Sequence, residues 1–183
     1  MHYRARDLFV LPGLLSLSRI PLAACFALLV DRPAAAALVL LVAGLTDVLD
    51  GWTARRYGLV TATGMVLDPV TDKLFVLTVA VALVARGHLS VSDVLLLSTR
   101  EIGELPLVAW LALSHAARSA RAEQPSANAP GKLVTVLQFI TVCWAIFRWS
   151  GLAYWLAATA VTGVLAAISY WIRSLRTVRY GAG

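Results

Sequence analysis

The chain has 183 residues, of which 60% are apolar and only 14% charged, and its mean hydropathy is +0.78. Soluble domains carry about a quarter charged residues, and a globule of this length has too little interior for so many apolar side chains. A soluble enzyme, a disordered chain and a coiled coil are therefore excluded. The net charge of +6 has no soluble basic surface to occupy, so it points to anionic lipid headgroups and not to nucleic acid.

Taken in chain order, residues 2–10 mix basic, aromatic and apolar groups, which suits a short helix lying in the headgroup plane. Six apolar stretches follow at 11–30, 34–57, 64–85, 91–114, 132–149 and 152–172. Each is close to the roughly 20 residues that cross a bilayer. The breaks between them are helix punctuation: Asp31-Arg32-Pro33, Arg55-Arg56-Tyr57-Gly58, Arg86-Gly87-His88, the polar run from Arg118 to Gly131, and Ser150-Gly151. The first stretch does not read as a cleaved signal, since no small-residue cleavage pattern follows Val30 and Pro33 opens the next span directly. The expected fold is all-α: a polytopic membrane protein with six transmembrane helices and a short N-terminal interfacial helix. It forms one domain over 1–183, divided into an interfacial segment 1–10, a bundle 11–172 and a basic tail 173–183.

Six spans put both termini on one side. With them lie Arg4, Arg6, Arg55, Arg56, Arg118, Arg121, Lys132, Arg173, Arg176 and Arg179, against Arg32, Arg86 and Arg148 opposite. The positive-inside rule then predicts cytoplasmic termini in the cytoplasmic membrane. Cys25 and Cys143 both sit in apolar runs and read as buried apolar residues. No zinc-like Cys/His spacing, nucleophile elbow, P-loop or dinucleotide fingerprint is present.

Apart from Asp93 at the start of the fourth, six of the ten acidic residues fall within the spans: Asp47, Asp50, Asp68, Asp72, Glu101 and Glu104. A charge deep in a bilayer costs at least about 2.5–3.5 kcal/mol, so each is a functional candidate. Asp47 and Asp50 are spaced i, i+3 near the end of the second span, and Asp68 and Asp72 i, i+4 near the start of the third, so each pair shares one helix face. The short connection predicts antiparallel neighbours and a convergence of four carboxylates about 10–12 Å below the cytoplasmic surface. Converging carboxylates in low dielectric need neutralising cations. All-oxygen ligands favour Mg²⁺ or Mn²⁺, and two such ions make a clamp for phosphoryl oxygens. Gly51 and Ala54 leave a small helix face for a ligand, and Arg55 offers a planar fork to a diphosphate. Read alone, Gly51 and Ala54 also suit close helix packing, and Arg55 a topology charge.

Asp47, Asp50, Gly51, Ala54, Arg55, Gly64, Asp68 and Asp72 reproduce the pattern D-x2-D-G-x2-A-R-x8-G-x3-D-x3-D at every fixed position. In this the chain resembles the CDP-alcohol phosphotransferase family. The resemblance implies a six-helix membrane enzyme, commonly a homodimer, that moves a phosphatidyl group from CDP-diacylglycerol to a polar alcohol and releases CMP. It implies Asp47, Asp50, Asp68 and Asp72 as ligands of two Mg²⁺ or Mn²⁺ ions, with Asp72 also the general base. It implies Gly51, Ala54, Arg55 and Gly64 along the cytidine diphosphate, with Thr61 a further donor contact.

Beyond that signature, Pro12-Gly13-Leu14-Leu15-Ser16-Leu17-Ser18-Arg19, Leu67-Asp68-Pro69-Val70-Thr71-Asp72-Lys73, Arg100-Glu101-Ile102 and Gly131-Lys132 followed by Thr135 and Gln138 resemble motifs of the phosphatidylglycerophosphate synthase branch. Glycerol 3-phosphate as acceptor needs cations, for which Arg100, Lys132 and Arg19 are the expected set. Gly13, Ser16, Thr99 and Val108 depart from that branch, and Glu104 adds a negative charge. These departures keep open a cardiolipin synthase, with phosphatidylglycerol as acceptor, or a synthase for another polar alcohol such as an inositol phosphate. An ion or proton transporter also uses buried carboxylates, but it predicts internal repeats, and the two halves show no convincing similarity.

Overall fold

The computed structural model describes the backbone of residues 11–57, 64–113 and 129–180, and the side-chain surroundings of 17–49, 70–107, 110 and 131–175. Among these residues there are seven helices and no strand: α1 Leu11–Leu29, α2 Pro33–Tyr57, α3 Gly64–Ala85, α4 Val91–Leu97, α5 Thr99–Leu113, α6 Ala129–Ile146 and α7 Leu152–Tyr180. The all-α expectation holds. The expected interfacial helix at 2–10 and the loop 118–129, up to Asn128, lie outside the described residues.

The chain divides into two compact units, Met1–Leu89 and Ser90–Gly183. In the first unit α1 packs against both α2 and α3. The apolar contact is made by Ala23, Phe26 and Val30 of α1 and its turn, Ala36, Leu40 and Ala43 of α2, and Val79, Ala82 and Leu83 of α3, all buried. The sequence predicted direct α2–α3 pairing; among the described residues the extensive contacts of both helices are with α1. The α3 stop has a plain cause. Gly87 adopts φ +66°, His88 N–H donates to Leu83 O at 2.9 Å and Gly87 N–H to Val84 O at 3.0 Å, the bond pair of a Schellman motif. Asp31, in the α1–α2 turn, takes an ion pair from Arg86 and lies 3.6 Å from His88 Nε2, which ties that turn to the end of α3.

In the second unit α7 is the common partner of α4, α5 and α6. The single fourth span expected over 91–114 is two helices. α4 opens with a capping box in which Ser90 N–H donates to Asp93 Oδ2 at 2.8 Å and Asp93 N–H to Ser90 Oγ at 3.2 Å. It ends at Ser98 (φ −91°, ψ 13°). Next to the break, the Thr99 hydroxyl reaches the Leu96 carbonyl at 3.1 Å and Ala160 O on α7 at 3.3 Å. A hydroxyl competing for backbone carbonyls in this way bends a helix.

The fifth stretch stops at Ile146 instead of Trp149, because Arg148 turns to φ 52° and Trp149 N–H donates to Trp144 O at 3.2 Å. Trp144 Nε1 closes the turn on Ser150 O at 2.8 Å, and its ring lies 4.7 Å from that of Trp149 and 5.1 Å from that of Trp155. Across the α6–α7 contact, the hydroxyls of Thr141 and Thr159 bond at 2.9 Å with neither side chain exposed. α7 runs on through the basic residues Arg173, Arg176 and Arg179 to Tyr180, so the expected tail is helical over most of its length. Its segment Leu152–Leu175 is the one described helix long and apolar enough to cross a membrane by length and composition; Leu17–Leu29, Pro33–Leu49 and Gly131–Ile146 are shorter apolar segments.

Candidate active site

α2 carries Asp47, Asp50, Gly51, Ala54 and Arg55, and α3 carries Gly64, Asp68 and Asp72, so the backbone of all these positions is helical. Thr61 and the side chains of Asp50, Arg55 and Asp68 lie outside the described residues. Of the two carboxylates that are described, Asp47 and Asp72 are both exposed, on two helices that share α1 as their packing partner. Among the described side chains no three His, Cys, Asp or Glu groups gather. The exposed carboxylates of Asp47 and Asp72 are hard oxygen donors of the kind a Mg²⁺ or Mn²⁺ ion takes.

Arg19, from the third turn of α1, is 3% exposed and donates from Nη2 to Oδ1 of Asp47, whose side chain is 62% exposed. Sequence reasoning placed Arg19 near an acceptor phosphate and missed this partner. The two residues are 28 positions apart, and no local pattern signals a contact at that range.

In the second unit the remaining motif residues form a network between α5 and α6. Arg100 Nη1 donates to Thr135 Oγ1 at 3.0 Å and to Gly131 O at 3.2 Å. Its Nη2 lies 3.0 Å from Glu101 Oε1, and its Nε 3.7 Å from Glu104 Oε1. Gln138 Nε2 completes the network, donating to Leu97 O at 2.9 Å and to the Glu101 carboxylate at 3.2 Å. The Arg100-Glu101 pair and the Gly131, Thr135 and Gln138 positions are thus one hydrogen-bonded unit. The sequence flagged Glu101, Thr135 and Gln138 without giving them a task, and the signal was the spacing of the two motifs. Lys132 stands beside Gly131 in the first turn of α6 and is exposed.

Among the described residues the architecture is all-helical, with one apolar helix of membrane-crossing length and with the signature aspartates carried on α2 and α3. A family model for CDP-alcohol phosphatidyltransferase matches residues 9–171, and the chain belongs to that family. It is an enzyme of the CDP-alcohol phosphatidyltransferase class, acting in phospholipid synthesis. The chain is 32% identical over 168 residues to the CDP-diacylglycerol–glycerol-3-phosphate 3-phosphatidyltransferase of Escherichia coli (strain K12), covering 84% of this chain and 89% of that one. The Shigella flexneri serotype 5b protein of the same name matches at the same identity and coverage. A cardiolipin synthase (CMP-forming)/mitochondrial hydrolase fusion protein of Schizosaccharomyces pombe is 35% identical over 107 residues, covering 57% of this chain and 18% of that one.

Proposed function

We propose that this protein transfers the phosphatidyl group of CDP-diacylglycerol to glycerol 3-phosphate and releases CMP. The observation that carries the reading is the complete eight-residue signature from Asp47 to Asp72, in a chain similar over most of its length to enzymes named for that reaction. Asp47, Asp50, Asp68 and Asp72 hold two Mg²⁺ or Mn²⁺ ions, which supply charge stabilisation at the transferred phosphoryl oxygens. Gly51, Ala54, Arg55, Thr61 and Gly64 line the cytidine diphosphate. The acceptor hydroxyl attacks the β-phosphorus, the bond to CMP breaks, and Asp72 accepts the hydroxyl proton.

Lys132 is the exposed cation of the acceptor set and meets the acceptor phosphate. Arg100, with Thr135, Gly131 and Glu101 already on its guanidinium, supports the helix that bears Lys132. The bundle crosses the cytoplasmic membrane six times with both termini and the site on the cytoplasmic face, and it works as a homodimer. Supporting the membrane reading, Leu38, Leu41, Leu45 and Leu49 of α2 and Val161, Leu165, Ile168 and Ile172 of α7 are all exposed, more apolar surface than a soluble monomer leaves in water.

The test is CMP release by the purified protein in lipid, with CDP-diacylglycerol and Mn²⁺ or Mg²⁺, across glycerol 3-phosphate, phosphatidylglycerol, inositol 1-phosphate, inositol and serine. Release with glycerol 3-phosphate, its abolition by chelation and its loss in Asp72→Asn are the expected outcomes. Release confined to phosphatidylglycerol would replace the first reading with that of a cardiolipin synthase.

A further inference from the structure

Arg19 carries a charge it cannot shed, and it carries it at 3% exposure. Burying such a cation without an anion is strongly unfavourable, so its partner matters to the fold as well as to the site. That partner is Asp47, the first aspartate of the signature, and the bond engages one of its two carboxylate oxygens, Oδ1. A cation serving only to mark topology needs no burial. One that captures a soluble phosphate needs access, which 3% exposure does not give. A clamp between α1 and α2 could use any anion on α2, yet this one falls on a residue assigned to the metals.

We propose that Arg19 is a positioning residue for the metal centre. It holds Asp47 through Oδ1 and leaves Oδ2 for a divalent ion. The inference rests on the reading of Asp47 as a metal ligand given above. It assigns Arg19 a task on the ligand shell in place of the acceptor contact expected from sequence, and it follows the general rule that metal-bound carboxylates are themselves hydrogen-bonded.

The experiment measures Mn²⁺ binding to the full-length protein in lipid nanodiscs by the electron paramagnetic resonance of free Mn²⁺, alongside CMP release. Arg19→Gln is expected to weaken Mn²⁺ binding by about ten- to a hundredfold and to lower kcat, leaving KM for glycerol 3-phosphate within about twofold. Arg19→Lys, which keeps a cation without the planar fork, is expected to recover part of both losses. In Arg19→Gln combined with Asp47→Asn, the affinity should equal that of Asp47→Asn alone, because Arg19 acts through that carboxylate; fully additive losses overturn the proposal. So does a Mn²⁺ affinity unchanged in Arg19→Gln with a raised KM for glycerol 3-phosphate, which makes Arg19 an acceptor contact. Where Arg19→Gln does not fold, Arg19→Lys decides: weakened Mn²⁺ binding supports the proposal and wild-type binding overturns it. A wild-type protein that binds no Mn²⁺ removes the metal reading itself and this inference with it, whereas wild-type binding with an indifferent Arg19→Gln removes the inference alone.

Discussion

A methyl group on Gly103 would come within 2.7 Å of the Cβ of Ala167, a contact that neither short side chain can relieve by rotation. Gly163 faces the same face of α5 from α7, and a Cβ there would lie 3.1 Å from the Arg100 backbone nitrogen and would also strike the Thr99 hydroxyl. These two glycines let the α5 and α7 backbones approach, and Trp171 seals the contact by donating from Nε1 to Gly103 O at 2.9 Å. Gly103→Ala and Gly163→Ala should each cost about 1–3 kcal/mol of stability, the usual consequence of overpacking a close contact. Gly44, also helical, has open space where a Cβ would go, with nothing within 4 Å, so Gly44→Ala should be neutral or stabilising by up to about 1 kcal/mol. Thermal unfolding midpoints of the three variants in one lipid preparation check this, and equal shifts at Gly44 and Gly103 would discard the packing argument. None of this contrast is legible in the sequence, where nothing local separates Gly44 from Gly163 and Gly103 stands among charged residues; the difference is the distance to another helix.

At the level of elements, the second unit is held by polar groups as much as by apolar ones. Arg100 and Glu101 lie on α5 and Gln138 on α6, and both Arg100 and Gln138 engage the Glu101 carboxylate. In a part-buried network of this kind, deleting one member leaves another without its partner. Gln138→Leu removes the donor to both Leu97 O and Glu101, and is expected to lower stability by about 1–3 kcal/mol. Because Gln138 bonds to Glu101 and not to a substrate, the measurement that separates a scaffold role from a binding one is the response to acceptor. The thermal midpoint should fall, and KM for glycerol 3-phosphate should move far less than in Lys132→Gln. A larger KM change in Gln138→Leu than in Lys132→Gln would make Gln138 part of the acceptor pocket. Here the sequence was informative in a particular way. The spacing of Gly131, Lys132, Thr135 and Gln138 puts Gly131, Thr135 and Gln138 along one side of α6, so the motif was visible; that its partner was the Arg100-Glu101 pair was not, because the pairing runs across 31 to 37 residues of chain. The break at Ser98 was missed for a related reason: nothing in the apolar run 91–114 marks it except Thr99, whose hydroxyl finds its second acceptor on α7.

For the whole molecule, helix existence was largely written in the hydropathy pattern, and the stops were written in local chemistry. Gly87 and Gly151 at positive φ, and the Ser90–Asp93 capping box, end and start helices where the sequence places breaks. Direction across the bilayer is a different property, set by the distribution of Lys and Arg relative to the spans. If the six spans hold, parity puts the turns after α1, α3 and α6 on one face, and these contain Arg32, Arg86 and Arg148 but few other cations. The turn after α6 also bears Phe147 and Trp149, their rings stacked 4.8 Å apart beside Trp144 of α6, an aromatic group of the kind that favours the headgroup region. The same six-span reading puts the basic end of α7 on the opposite face, and the 29 residues of that helix extend about 43 Å, beyond the roughly 30 Å hydrocarbon core. In a variant with Cys25 and Cys143 replaced by alanine, a membrane-impermeant maleimide added to intact cells should therefore label Ser92→Cys and Ser150→Cys. It should label Ala182→Cys only once the membrane is opened. The reverse pattern inverts the orientation and moves the Asp47–Asp72 carboxylates away from a cytoplasmic nucleotide donor. Labelling of Ser92→Cys and Ser150→Cys on opposite faces would break the parity itself, and with it the assignment of α4 and α5 together as one crossing.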